Sequence, residues 1–314
     1  MLDWIYVGLG LVLLLLAGDA LVKGAVNMSL RLGVPALIVS LTIVAFGTSA
    51  PELLISVQAI WEGVPGLALG NVVGSNTANV LLVLGVPALL ATMHTSECNT
   101  RSSYLQMLAA TAVFIVLCLM GALTWVSGLI LLAALAAMLG WAFVTARRHR
   151  RACENGDDEV EGADPSLGWP KIMFFLVVGL IGLPLGASLL VDGSTNIARD
   201  FGISETVIGL TLVAIGTSLP ELATTVMAAL RRQADVALGN VIGSNMFNLL
   251  GIMGVASLVG TIPVDAEILR FDLWIMLGAS LVLIPFVFLR QDISRLWGIV
   301  LSAAYVAYLF LVLS

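Results

Sequence analysis

Residues Thr42–Leu54 read TIVAFGTSAPELL and place a carboxylate, Glu52, directly after a proline inside an apolar stretch. Residues Thr211–Ala223 read TLVAIGTSLPELA and do the same with Pro220 and Glu221. An ionised carboxylate near the centre of a bilayer costs at least about 2.5 kcal/mol. Proline removes a backbone donor and clashes with the preceding turn. The Gly-Thr-Ser before each proline weakens a helix further. A carboxylate at the point where a helix is hardest to maintain, present twice, asks for a role beyond packing.

The surrounding chain is mostly hydrocarbon. Of its 314 residues, 60% are hydrophobic and 11% charged, and the mean hydropathy is +1.06; soluble domains carry about a quarter charged residues. Apolar runs recur, each long enough to cross a bilayer. They predict about ten spans, near 4–22, 36–60, 66–90, 104–120, 124–146, 170–191, 205–230, 236–260, 271–289 and 296–313. The fold class is an all-α polytopic membrane protein. Asp3 stands where a signal peptide wants positive charge, so the first run reads as a retained helix. Cys98, Cys118 and Cys153 form no metal-type spacing, and His94 and His149 fall in loops. No cofactor and no enzymatic activity are expected. Membrane lipid is the expected surrounding and nucleic acid is not an expected partner.

The chain divides into two copies. At an offset of 169 positions, ALGNVVGSNTANVLLVLGV lies over ALGNVIGSNMFNLLGIMGV, in register with the two proline motifs, and Gly24, Asn27 and Gly33 fall on Gly193, Asn196 and Gly202. Matched Gly, Pro, Glu, Asn, Ser and Thr mark a repeat rather than shared apolarity. The expected organisation is a first five-helix repeat over 1–146, a charged linker over 147–169 and a second five-helix repeat over 170–314. Five spans is an odd number, so the second copy enters the membrane from the opposite side. Assigning the loops after spans 1, 3, 5, 7 and 9 to one side collects Lys23, Arg31, Arg101, Arg147, Arg148, Arg150, Arg151, Arg231, Arg232, Arg290 and Arg295 there. The positive-inside rule makes that side, with the linker, cytoplasmic and puts both termini outside. The acidic run Asp157-Asp158-Glu159 reads as solvated loop.

The repeated polar groups are oxygen donors. A break at Pro51 and Pro220 is expected to free carbonyls such as those of Ala45 and Ala214, and carbonyls at the end of a half-helix attract cations. Thr48 and Glu52 are four apart, as are Thr217 and Glu221; so are Ser75 and Asn79, and Ser244 and Asn248, which places each pair on one helix face. Asn71, Asn240, Asn76 and Asn245 read either as interhelical bonds or as part of the site. With no His or Cys among them, these groups suit hard cations: sodium, calcium or magnesium. A pocket that holds either of two loads, but not both, is the physical basis of exchange.

GTSAPEL with GNVVGSNTANV, and GTSLPEL with GNVIGSNMFNL, resemble the two alpha-repeats of the sodium/calcium exchangers in the cation/calcium antiporter superfamily. The resemblance covers nearly the whole chain, and the short central loop is similar to that of prokaryotic members. It implies antiport of calcium against sodium in a bacterial or archaeal cytoplasmic membrane. Glu52 and Glu221 would be the central ion ligands, with Thr48, Thr217, Ser75, Ser244, Asn79, Asn248 and the Ala45 and Ala214 carbonyls completing the sites. It also implies sliding first and sixth helices with hinges near Gly24 and Gly193, and needs no second copy of the chain. Positions 79 and 248 are both Asn, where some exchangers carry an Asp at one, so the pocket has two carboxylates. Alternatives are a proton- or potassium-coupled calcium exchanger, a cation channel and an intramembrane protease; the last needs paired Asp and a GxGD-like motif that this chain does not carry in its repeats.

Overall fold

The computed structural model describes residues 2–153, 164, 166–202 and 214–313. The side chains of residues 146–153, the acidic run at 157–159 and residues 205–213 of the expected seventh span lie outside the described part. The described chain is helical almost throughout. The long helices are α1 (Leu2–Leu32), α4 (Pro65–Leu90), α5 (Arg101–Cys118), α6 (Trp125–Cys153), α7 (Trp169–Asp200), α10 (Ala234–Val259), α11 (Ile268–Phe288) and α12 (Arg295–Leu313). Between them lie α2 (Ala36–Thr48) and α3 (Ala50–Trp61), two limbs of one broken span bent by 42°, and their counterparts α8 (Ala214–Thr217) and α9 (Leu219–Leu230). Eight helices are long and apolar enough to cross a membrane, and the bent pair makes nine among the described residues. α8 and α9 fall within 205–230, the expected seventh span, whose first residues lie outside the described part.

Two elements run further than the hydropathy suggests. α1 continues to Leu32 rather than stopping near 22, and α7 continues to Asp200 rather than 191. At 1.5 Å per residue α1 is about 46 Å long, against roughly 30 Å of hydrocarbon. The polar residues that looked like its end are accommodated within the helix. Asp19 pairs with Arg231. Asn27 donates to the Lys23 carbonyl at 2.8 Å and accepts from the Asp164 amide at 2.8 Å, and Arg31 reaches the Leu167 carbonyl at 2.7 Å. Lys23 and Arg31, expected in a loop, are therefore helical.

Apolar contacts divide the molecule in two. The main core gathers Val72, Val73 and Leu84 of α4, Tyr104, Met107 and Phe114 of α5, Ile242, Met246 and Met253 of α10 and Phe286 of α11. A second cluster joins Leu14, Ala17 and Leu21 of α1 to Ile172, Leu176 and Leu183 of α7, resting on Val39 and Val44 of α2. Helices α1 and α7 thus form their own layer against the core. Their axes approach closely: a Cβ at Gly10 would lie 2.6 Å from the Leu190 amide nitrogen, and one at Gly186 2.9 Å from that of Leu14. Small residues permit such approach where lipid supplies no hydrophobic drive between helices. Gly24 and Gly193, the expected hinges, lie inside unbroken helices and meet Leu176 and Asp3 at comparable distances, so in this structure they serve packing.

Two loop clips tie the halves together. Met93 and Ile293 exchange backbone hydrogen bonds at 3.1 Å, and β1 (Ala122–Leu123) pairs with β2 (Ile262–Pro263), Leu123 opposite Ile262. Met93 and Ile262 lie 169 positions apart and Leu123 and Ile293 lie 170 apart, so the clips are repeat mates with the register shifted by one residue on the second side. Among the described residues the first carries an ion pair and the second does not: His94 Nδ1 lies 2.9 Å from Asp292 Oδ2, and the Ser96 amide donates to Asp292 Oδ1 at 3.0 Å. Burial alone would raise the Asp292 carboxyl; the hydrogen bonds from Ser96 and the His94 contact outweigh it and hold the group below the usual carboxylate range.

Candidate ion site

The break in each repeat falls on a serine. Ser49 has φ −84° and ψ 5°, and Ser218 has φ −88° and ψ 2°, the sparsely populated bridge between helix and strand conformations. The next helix starts immediately. Pro51 and Pro220 then lie in a first turn, where a missing N–H breaks no helical bond. Glu52 and Glu221 occupy the same first turns, where the helix N-terminus favours negative charge. The proline that would damage a continuous span instead begins a half-helix whose positive end holds the carboxylate.

The same geometry corrects the expectation for the Ala45 carbonyl. The Ala45 carbonyl is not freed: it accepts the Ser49 N–H at 3.0 Å and the Thr48 hydroxyl at 3.2 Å. The N–H that Pro51 lacks would have reached four residues back, to Gly47, not to Ala45. In the second repeat the Ser218 N–H turns to Ile215 at 3.0 Å. Ala214, four residues before Ser218, opens the short α8 helix and does not receive that N–H, as expected for a carbonyl at the break.

The broken helix of each half packs on the Gly-Asn helix of the other. Gly243 makes this contact tight: a Cβ there would fall 2.5 Å from the Leu41 carbonyl oxygen and 2.6 Å from the Ala45 Cβ. The Ser40 hydroxyl donates to the Val236 carbonyl at 2.6 Å. This contact brings Thr48 Oγ1 within 3.3 Å of Asn240 Oδ1 and 3.5 Å of Ser244 Oγ. It also lets Ser49 Oγ donate to Glu221 Oε1 at 3.1 Å. Asn240 Nδ2 braces the same helix, donating to the Glu221 carbonyl at 3.3 Å and to Thr225 Oγ1 at 3.2 Å. Asn79 Nδ2 donates to Asn245 Oδ1 at 3.0 Å. Thr217, Ser75 and Asn248 are buried, Asn248 where α10 widens into a π-turn over Phe247–Ile252. Such turns concentrate at functional sites. Two further groups belong to this network and are not in the expected ligand set, Ser49 and Thr225; their repeat mates Ser218 and Ser56 are buried with unpartnered hydroxyls. The two break serines were readable as the repeated Ser of GTS. Ser56 and Thr225 differ in residue type and left no repeated letter.

The carboxylates are fully enclosed, with Glu52 1% and Glu221 0% exposed. Among the described residues neither is in an ion pair with a basic side chain, and Oε2 of each has no hydrogen-bond partner. Buried charge normally demands a partner. Also unpartnered are Asn79 Oδ1, Asn76 Oδ1, Ser218 Oγ and the whole Asn248 amide. Among the described residues no three His, Cys, Asp or Glu side chains cluster. A cation shell here would therefore draw mainly on neutral hydroxyl, amide and carbonyl oxygens, the donor set of hard cations.

Comparison with known proteins gives a consistent answer. The family model described as sodium/calcium exchanger protein matches residues 2–144 and 171–314. The chain is 36% identical to the putative antiporter CaxA of Alkalimonas amylolytica, covering 99% of this chain and 98% of that protein. It is 34% identical to the sodium/calcium exchanger MaX1 of Methanosarcina acetivorans, covering 96% and 95%. The solved structure of the sodium-calcium exchanger NCX_Mj superposes with a TM-score of 0.82 at 34% identity, covering 98% of this chain and 97% of that one. Sequence, fold and spans agree that this integral membrane protein, a transporter and not an enzyme, belongs to the sodium/calcium exchanger family.

Proposed function

We propose that this protein exchanges sodium for calcium by alternating access at one site between the two repeats. The observation that carries the reading is the pair of enclosed carboxylates, Glu52 and Glu221, each with an oxygen that has no partner. Two negative charges balance one calcium ion, or are shared among sodium ions. Thr48, Thr217, Ser75, Ser244, Asn79, Asn248 and the Ala214 carbonyl supply the neutral oxygens, and Ser49 and Ser218 join them from the break. Competition for the same two carboxylates is what makes the loads mutually exclusive. The second repeat is inverted with respect to the first, and a shift of the α1–α7 layer against the core exposes the site to each side in turn. The termini lie outside, the linker over 147–169 is cytoplasmic, and one chain is the transporting unit.

Calcium uptake into sodium-loaded proteoliposomes tests this, with potassium, choline and a pH gradient as separate drives. Uptake that requires outward sodium is expected. Uptake driven equally by protons places the protein among proton-coupled exchangers, and uptake with no counter-ion makes it a channel. The orientation has its own test. A cysteine replacing Arg231 is expected to resist an impermeant reagent added outside intact cells, and its labelling would reverse the topology.

A further inference from the structure

Three hydrogen bonds in the site have repeat mates that are missing, and in each missing mate both atoms are buried and unpartnered. Ser49 Oγ donates to Glu221 Oε1; the mates, Ser218 Oγ and Glu52 Oε2, have no partner. Asn79 Nδ2 donates to Asn245 Oδ1; the mates, Asn248 Nδ2 and Asn76 Oδ1, have none. Asn240 Nδ2 donates to Thr225 Oγ1; the mates, Asn71 Nδ2 and Ser56 Oγ, have none. Each pair is related by the same offset of 169 positions.

The asymmetry is selective. Asn76 and Asn245 are themselves repeat mates, and they bond each other reciprocally: Asn76 Nδ2 to the Asn245 carbonyl at 3.4 Å and Asn245 Nδ2 to the Asn76 carbonyl at 3.3 Å. This pair marks the pseudo-twofold axis and keeps its symmetry while the bonds around it do not. A bound cation does not resolve the missing bonds either. It can satisfy Glu52, Ser218, Asn76 and Ser56 oxygens, but the Asn71 and Asn248 N–H groups are donors and need an acceptor. Buried donors without one are costly and rare in native structures.

We propose that these bonds form an exchange set. In the opposite-facing state the three present bonds open and Ser218–Glu52, Asn248–Asn76 and Asn71–Ser56 close. The unpartnered atoms are then the vacated half of a two-state network, and the reciprocal Asn76–Asn245 pair is its pivot. Asn71, Asn240, Ser56 and Thr225 become positioning residues, each acting through the half-helix that carries a carboxylate, since Ser56 and Thr225 stand one turn beyond Glu52 and Glu221. The α1–α7 layer, with its own apolar cluster against the core, is the body free to shift as the set exchanges. This inference rests on the alternating-access reading above.

The test measures conformation rather than flux. Spin labels are placed at Leu16 on α1 and Trp61 at the end of α3, both exposed, in full-length chain with Cys98, Cys118 and Cys153 replaced by serine. Their distance distribution is recorded in nanodiscs by pulsed electron paramagnetic resonance. Two populations are expected. Ser56→Ala removes an acceptor of the vacant state and Thr225→Val one of the present state, so their population ratios move in opposite directions, each about fivefold for one hydrogen bond. Thr225→Ser keeps the hydroxyl and is expected to match the parent. Shifts in the same direction, or one distance unmoved by either variant, would overturn the exchange set. Sodium-driven calcium uptake by the parent is measured alongside. Opposite shifts without uptake would sink the transport reading alone, and uptake with parallel shifts would sink the exchange set alone.

Discussion

The two repeats share their breaks but not their bonding. Ser49 and Ser218 have nearly the same backbone angles, yet Ser49 holds Glu221 while Ser218 and Glu52 have no partner on the atoms that would meet. Asn79 sits in α-helix and is bonded through its nitrogen, whereas Asn248 sits in a π-turn with both amide atoms unpartnered. The difference teaches that a repeated motif sets the donor inventory without setting which of its hydrogen bonds are made. Each carboxylate keeps an unpartnered Oε2, but only Glu221 has its other oxygen held by a break serine.

The comparison is broken most severely at the carboxylates. Glu52→Gln and Glu221→Gln are each expected to lower sodium-driven calcium uptake about a hundredfold or more without loss of expression, because an amide leaves a divalent ion short of charge. Near-normal uptake in either would show that the halves are not both used. The variants should then differ in ion-free thermal stability. Glu52→Gln neutralises a group whose Oε2 is unpartnered, while Glu221→Gln also weakens the bond from Ser49, so Glu52→Gln should melt higher.

The serines sharpen the contrast at smaller scale. Ser49→Ala removes a hydrogen bond to a carboxylate and is expected to destabilise by about 1.5–3 kcal/mol. Ser218→Ala removes an unpartnered hydroxyl and should be close to neutral in denaturant titration. Equal losses would mean that the two breaks are equivalent after all. Gly243→Ala asks whether the contact between repeats is as tight as the geometry says. With the Leu41 carbonyl 2.5 Å from the added carbon, a loss of about 1–3 kcal/mol is expected.

The loop clips give the smallest effect. Among the described residues only the Met93–Ile293 clip carries an ion pair, and it is largely exposed, so Asp292→Asn should cost well under about 1 kcal/mol. The sign with pH follows from the depressed Asp292 carboxyl. Its contribution is present above the ordinary aspartate value, about 3.9, and disappears as pH falls through the lower folded value. The difference between parent and Asp292→Asn should therefore vanish in acid. A difference that grows in acid would contradict the assignment.

Much of this site is legible in one sequence because the motif occurs twice. Glu52, Glu221, Thr48, Thr217 and the Ser-Asn pairs stand out as polar letters held at one offset in an apolar chain, and all whose side chains are described lie buried in the structure. The prolines correctly mark the break. What they do not give is its consequence for hydrogen bonding, which differs between the repeats: the Ser49 N–H stays on Ala45, while the Ser218 N–H turns to Ile215. The lengths of α1 and α7 were hidden for a different reason. Hydropathy reads Asp19, Asn27 and Arg31 as an exit from the membrane, while their partners, Arg231, Asp164 and Leu167, come from distant parts of the chain. Ser56 and Thr225 escaped because their role is set by Asn71 and Asn240 across the helix pair and not by a shared residue type.

The most direct measurement is equilibrium binding of calcium to the purified protein, with sodium as competitor, for the parent and the two Glu→Gln variants. One calcium ion per chain, displaced by sodium and lost in both Glu52→Gln and Glu221→Gln, is the expected result. Sodium-displaceable calcium that survives either substitution would contradict a single site shared by the two repeats.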